Sequence, residues 1–258
     1  MNRIDELFKN KSENILSIYF TAGFPSLEDT LPIMKAIEAA GADIIEIGVP
    51  YSDPIADGPT IQESNQVALN NGMSMRKLFD QLAAMRKEVN LPVILMGYLN
   101  PVVQFGIEKF CQKCQEVGVD GLILPDLPMN QYLTEYKEVF DKYDLRNTFL
   151  ISPQTSEQRI REIDSHTNGF IYMVSSASIT GAKAAVSPEQ LAYFERVGKM
   201  GLKNPRLIGF GISDHASFKS AASYSHGAII GSAFINVLKS AENQEEAVIE
   251  YIRSVINK

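Results

Sequence analysis

AAGADIIEIG (39–48), EVGVDGLILPD (116–126), SHTNGFIYMVS (165–175) and YSHGAIIGSA (224–233) are four versions of one phrase. Each has a helical stretch that stops at glycine, then a short run rich in Ile, Val and Leu. Glycine just past a helix supplies a left-handed cap. An apolar run of this length without alternation reads as a strand buried on both faces, which means a parallel strand.

Extending the phrase in both directions gives strands near 15–21, 43–48, 92–98, 121–124, 147–151, 169–174, 206–210 and 227–231. Helices are expected near 27–40, 74–89, 104–117, 130–142, 156–165, 188–200, 214–223 and 233–256. Strands alternating with helices in this way predict the α/β class and a parallel (β/α)8 TIM barrel. An open doubly wound sheet is the rival, but it usually carries G-x-G-x-x-G after its first strand, and TAGFPSLEDT (21–30) does not match. Residues 2–11 add an N-terminal helix placed to plug the barrel bottom. Residues 1–258 read as a single domain, because no Gly, Ser or Pro linker divides them. Two connections are long, 49–72 after strand two and 175–188 after strand six. Both leave the C-terminal ends of strands, where barrel enzymes carry their chemistry.

The chain has 24 basic and 31 acidic residues, a net charge of -7, and no basic cluster. That argues against nucleic acid as a partner. A phosphate would have to be held locally, by backbone amides. MNRIDELFKNKSEN (1–14) has no apolar core of a signal peptide, and no run approaches the ~18 apolar residues of a membrane span. A cytoplasmic protein is expected. Cys111 and Cys114 lie well inside a helical pattern and read as reduced thiols, not a redox pair. His166, His215 and His226 are scattered, so no metal site is expected.

Glu46 interrupts the apolar strand IIEIG (44–48). Its carboxyl must face the barrel interior or the helix layer, and both are poor in water. Burial raises its pKa and fits it for proton transfer near neutral pH, although a structural hydrogen-bond role fits the same position. Asp57 sits with Asp53 in SDPIADGPT (52–60), stiffened by Pro54 and Pro59. Either acid could instead form an Asx-turn. Glu46 and Asp57 spring from one strand and its loop, so they can face each other across one mouth. IGFGIS (208–213) and IIGSAF (229–234) place Gly and Ser before helices at the ends of strands seven and eight, a recurrent phosphate site of barrels. Thr180-Gly181-Ala182 adds a third such turn. No predicted strand contains lysine, which argues against a Schiff-base aldolase and against a relative of indole-glycerol-phosphate synthase.

IEIGVPYSDPIADGPTIQ (45–62) closely resembles the signature of tryptophan synthase alpha subunits. The resemblance continues through GVDGLILPDLP (118–128), the IYMVS to ITG segment (171–181), GFGIS (209–213) and GSA (231–233). It implies a lyase that splits indole-3-glycerol phosphate into indole and glyceraldehyde 3-phosphate in L-tryptophan biosynthesis. Glu46 would protonate indole C3, and Asp57 would meet the indole N–H. Tyr172 would help place Glu46. Tyr19, Ile61 and Met96 would line the indole pocket, Thr180 would bond to Asp57, and Phe210 would lie near the phosphate. Gly181, Gly211, Gly231 and Ser232 match phosphate-binding positions. Asp53, Pro54, Asn100, Asp126 and Pro128 match rim positions facing a pyridoxal-phosphate-dependent beta subunit in an alpha2beta2 tetramer, to which indole would be channelled. The cofactor would belong to that partner, and none is expected on this chain. Ser176 and Phe24 stand where many members carry Arg and Asp.

Overall fold

The computed structural model describes residues 1–174, 187–209 and 211–257. Eight strands close into a parallel barrel in chain order. They are β1 (Ile15–Thr21), β2 (Ile44–Gly48), β3 (Val93–Met96), β4 (Gly121–Ile123), β5 (Arg146–Ile151), β6 (Ile171–Val174), β7 (Arg206–Gly209) and β8 (Gly227–Ile230). The expected barrel is present, and each strand lies within about two residues of its predicted bounds, the usual scatter at element ends.

The helices are α1 (Arg3–Asn10), α2 (Thr30–Ala40), α3 (Pro59–Asn70), α4 (Met75–Leu82), α5 (Leu99–Phe105), α6 (Ile107–Val117), α7 (Met129–Gln131), α8 (Lys137–Lys142), α9 (Glu157–His166), α10 (Pro188–Gly198), α11 (His215–Ala222), α12 (Ser232–Ser240) and α13 (Gln244–Ile256). Several readings of the sequence change: α5 precedes the helix expected from 104, and α4 ends at Leu82 within the helix expected over 74–89. The connection 49–72 contains α3, which begins with Pro59 at its first turn, where a missing N–H costs nothing. The single helix expected over 233–256 is two, α12 and α13, and the second opens at Asn243, whose side chain accepts from Glu246 N–H. The segment 130–142 carries a π turn at Tyr132–Tyr136 between α7 and α8.

The side chains sort into two cores. One fills the barrel: Ile15, Ile44, Ile94, Ile123, Phe170, Tyr172, Leu207 and Ile229, joined from below by Ile4 of α1. The other lies between the outer strand faces and the helices. Helix α1 plugs the bottom as expected. Its Phe8 ring packs 6.0 Å from Phe170. Asp120 ties the plug down: it accepts from Val93 N–H at 2.8 Å, from Arg86 at 2.5 Å and from Arg3 of α1 at 3.0 Å.

The recurring glycine does two different jobs. Gly41 and Gly118 are left-handed caps, with φ of 97° and 84°. Gly169 and Gly227 are not caps, since α9 and α11 end at Thr167 and Ser223. Gly227 is needed because a Cβ there would lie 1.9 Å from the Ile15 carbonyl oxygen. A side chain at the first residue of β8 would therefore push β1 and β8 apart. Gly227→Ala should destabilise the fold by about 3 kcal/mol or more, an overpacking effect. Gly198→Ala, whose Cβ meets nothing within 4 Å, should be neutral or slightly stabilising. Urea denaturation of the two variants beside the parent checks this. Equal midpoints for both would show that the β1–β8 seam tolerates a methyl group.

Candidate active site

Side chains alternate across a strand, so Ile44, Glu46 and Gly48 of β2 share one face. Ile44 belongs to the interior core, which puts Glu46 inside the barrel, level with Tyr19 on β1 and Ile94 on β3. Glu46 is completely buried. Its Oε1 accepts a 2.6 Å hydrogen bond from the Ser17 hydroxyl, and Oε2 has no hydrogen-bond partner among the described residues. Burial pushes the carboxyl up to about 7, against the Ser17 hydrogen bond, which favours the charged form. At neutral pH the group can therefore both give and take a proton.

Two phenols share this space. Tyr19 and Tyr172 are buried, and both are held protonated by burial and by the negative charges of Glu46 and Asp57. Each hydroxyl fits over a strand-end glycine. A Cβ on Gly48 would lie 2.1 Å from the Tyr19 oxygen, and one on Gly209 would lie 2.2 Å from the Tyr172 oxygen.

Asp57 lies on the loop between β2 and α3. Tyr98, just past β3, donates to Asp57 Oδ2 at 3.1 Å and accepts from Ala56 N–H at 3.0 Å. Gln62 donates to the Asp57 carbonyl at 2.8 Å. Burial raises the Asp57 carboxyl above its usual range, and Tyr98 opposes the rise. A small cavity at the mouth is lined by Tyr19, Val49, Asp57, Asn65, Met96 and Tyr98, among others. Ile61 and Asn65 are buried on α3, and the Asn65 Oδ1 has no hydrogen-bond partner among the described residues.

The two expected glycine turns differ. Helix α12 starts at Ser232 behind Gly231, which offers no capping side chain, so its first amides face the mouth uncapped. Helix α11 does not share this openness. Asp214 caps it, accepting from Ser217 N–H at 2.8 Å. A carboxylate there repels an anion, so the loop after β7 contributes Gly211, with φ 79°, and no open helix end. Thr180, Gly181 and Phe210 lie outside the described residues.

The rim residues gather at the C-terminal ends of β2, β3 and β4. Asp53 accepts from the Ser52 hydroxyl at 2.5 Å, and Asn100 donates to the Tyr51 hydroxyl at 3.2 Å. Asp126 accepts from Leu99 N–H at 2.9 Å and so fixes the start of α5. Pro54 flanks Ile55, which is 78% exposed, and Pro128 precedes α7. A wider cavity at the opposite end of the barrel, lined by Phe194, Lys199, Arg206, Tyr224 and His226, holds none of these residues. No group of metal-ligating side chains occurs among the described residues.

The family model described as "Tryptophan synthase alpha chain" matches residues 6–257. The chain belongs to the tryptophan synthase alpha chain family. It is 54% identical over 255 residues to the tryptophan synthase alpha chain of Parabacteroides distasonis, covering 99% of each. It superposes on the tryptophan synthase subunit alpha of Legionella pneumophila with a TM-score of 0.88 at 34% identity, covering 99% of this chain and 97% of that one. A chain of the tryptophan synthase complex from Pyrococcus furiosus is 30% identical with a TM-score of 0.87, covering 96% of this chain and 100% of that one.

Within this alpha-chain barrel, the sequence did not single out Ser17, Asn65, Tyr98 or the two strand-end glycines. Ser17 carried a signal, a hydroxyl inside the apolar strand ILSIYFT two residues before Tyr19. Tyr98 and Asn65 carried none, because loop and helix partners are set by tertiary contacts.

A buried acid near pH 7 leaves a thermodynamic mark. The folded pKa of Glu46 is raised from 4.5 to about 7. The unfolded chain therefore loses this proton first, and the stability present at acid pH is lost as pH rises through the folded pKa. Replacing Glu46 by Gln should remove that loss. The stability of Glu46→Gln relative to the parent should grow by about 2 kcal/mol between pH 5 and pH 8. Urea titrations of both proteins at the two pH values provide the check, and a constant difference would place the folded pKa near its ordinary value.

Proposed function

We propose that Glu46 is the proton donor and Asp57 the electrostatic partner in the cleavage of indole-3-glycerol phosphate. Members of the tryptophan synthase alpha chain family carry out this reaction in tryptophan biosynthesis, and the chain is a carbon–carbon lyase of that kind. The observation that carries the residue assignment is a single buried carboxyl, poised near neutrality, inside the mouth of a barrel whose described strands contain no lysine.

The chemistry follows from the charges. Protonation of indole C3 makes the ring cationic at nitrogen and turns it into an electron sink. The glycerol hydroxyl next to the C3 bond then passes its proton back to the Glu46 carboxylate, its oxygen forms the aldehyde carbonyl, and the carbon–carbon bond electrons return to the ring. Indole and glyceraldehyde 3-phosphate leave, and atoms and charges balance. Glu46 supplies the C3 proton. Asp57, held by Tyr98 on the mouth side, faces the ring N–H and favours its transient positive charge. Tyr19 and Met96, which line the mouth cavity, and Ile61, buried on α3, would form the walls for the apolar ring, with Tyr172 beside Glu46. The open amides of α12 behind Gly231 and Ser232, together with Gly211, Gly181 and the neighbouring Phe210, would hold the phosphate. Thr180 would bond to Asp57 when substrate is present.

Tryptophan synthase alpha chains work in complex with a beta subunit. Our proposal seats that partner on the rim formed by Asp53, Pro54, Asn100, Asp126 and Pro128, with exposed Ile55 as an apolar contact. It extends to an alpha2beta2 tetramer, to transfer of indole across the interface and to a cytoplasmic location. No described helix is long and apolar enough to cross a membrane.

Glu46→Gln should lower kcat for indole-3-glycerol phosphate cleavage by at least a thousandfold while leaving affinity for glycerol 3-phosphate within about twofold, because it removes the proton and not the phosphate grip. Steady-state indole release and calorimetric titration read the two quantities. Cleavage by the Gln variant at the parent rate would end this assignment. Titration with a beta subunit should raise the parent's cleavage rate, and Ile55→Asp should weaken that response by about tenfold in beta-subunit concentration.

A further inference from the structure

Ser17 lies on β1 two residues before Tyr19, pointing into the barrel beside Glu46. Both side chains are fully buried. The serine hydroxyl has one proton to donate, and it is spent on Glu46 Oε1 at 2.6 Å. Oε1 is thereby fixed as an acceptor, and Oε2 is left without a hydrogen-bond partner among the described residues. The two oxygens of one carboxyl are made unequal by a single neighbour.

We infer that Ser17 is a positioning residue that makes Oε2 of Glu46 the proton-carrying oxygen and holds Oε1 as the fixed acceptor throughout the reaction. The inference rests on the assignment of Glu46 as the proton donor. In the acid form, the Ser17 bond engages the carbonyl oxygen, so the acidic O–H is on Oε2 and is free to meet indole C3. When that proton leaves, the negative charge is shared with Oε1, and the same hydroxyl bond becomes charge-assisted and stronger. Ser17 thus stabilises the carboxylate more than the acid, and it does so after the proton has moved. It also stops the carboxyl group from turning over to present the wrong oxygen. Tyr19, Tyr172 and Asp57 share the space, but among the described residues it is Ser17 that hydrogen-bonds to Glu46.

The test uses the whole chain and three variants, Ser17→Ala, Ser17→Thr and Glu46→Gln. Infrared difference spectra between acid and neutral pH report the carbonyl stretch of a buried protonated carboxyl, and loss of the band in Glu46→Gln assigns it. In Ser17→Ala that stretch should move to higher frequency, because its carbonyl loses a hydrogen bond. The pH at which it disappears should rise by roughly one pH unit. The limb of the kcat profile that falls as Glu46 ionises should move upward with it, and kcat below that limb should fall about tenfold. Ser17→Thr, which keeps the hydroxyl, should restore the frequency and the limb. An unchanged band position and limb in Ser17→Ala would overturn the role of Ser17 while leaving Glu46 as the donor. An active Glu46→Gln would instead overturn the donor assignment itself.

Discussion

A carboxyl group enclosed inside a closed barrel has no water to fall back on, and the rest of the site is arranged around that fact. Glu46 is completely buried, with one hydrogen bond among the described residues to spread its charge. An isolated ionised carboxylate there would be costly, so the group takes the neutral form more readily than any exposed glutamate would. The same isolation makes its proton available near pH 7. Stability and reactivity are thus set by one desolvation, with opposite sign.

The barrel supports this group through its lower end as much as its mouth. Helix α1 fills the bottom with Ile4, Leu7 and Phe8, so the interior around Ile44 and Ile94 stays dry. Asp120 joins that plug to the edges of β3 and β4 through Arg3, Arg86 and the Val93 amide. Above, Gly48 and Gly209 lack side chains, and the hydroxyls of Tyr19 and Tyr172 occupy the space this leaves.

The two acids differ in kind because their settings differ in kind. Glu46 sits on a strand, and the register with Tyr19 and Ile94 fixes its height in the barrel. Asp57 sits on a loop and takes its position from Tyr98, which reaches over from the end of β3 to bond both its carboxylate and the Ala56 amide. A loop acid steadied by one phenol can adjust to a ring between them, while a strand acid cannot. This division suits the proposed roles, in which Glu46 places a proton at a defined carbon and Asp57 follows a charge that appears and disappears.

Much of this was legible in the residues. The strands were readable because parallel strands buried on both faces must be continuous apolar runs, and Glu46 stood out because it broke one. The family signature fixed the neighbourhood of Asp57. Other features were closed to the sequence because they depend on which distant segments meet. Gly227 reads like the cap at Gly41, yet its reason is the Ile15 carbonyl more than two hundred residues away in the chain. The open helix end at Ser232 and the capped one at Asp214 follow similar Gly and Ser turns, and the folded position of the Asp214 carboxylate over its own helix end tells them apart. Ser17 and Tyr98 become partners of the two acids only when strands come into register and loops close over them. Local pattern specifies which residues are buried and on which face. Barrel closure alone decides what each buried polar atom meets, since that is a long-range contact and not a period along the chain.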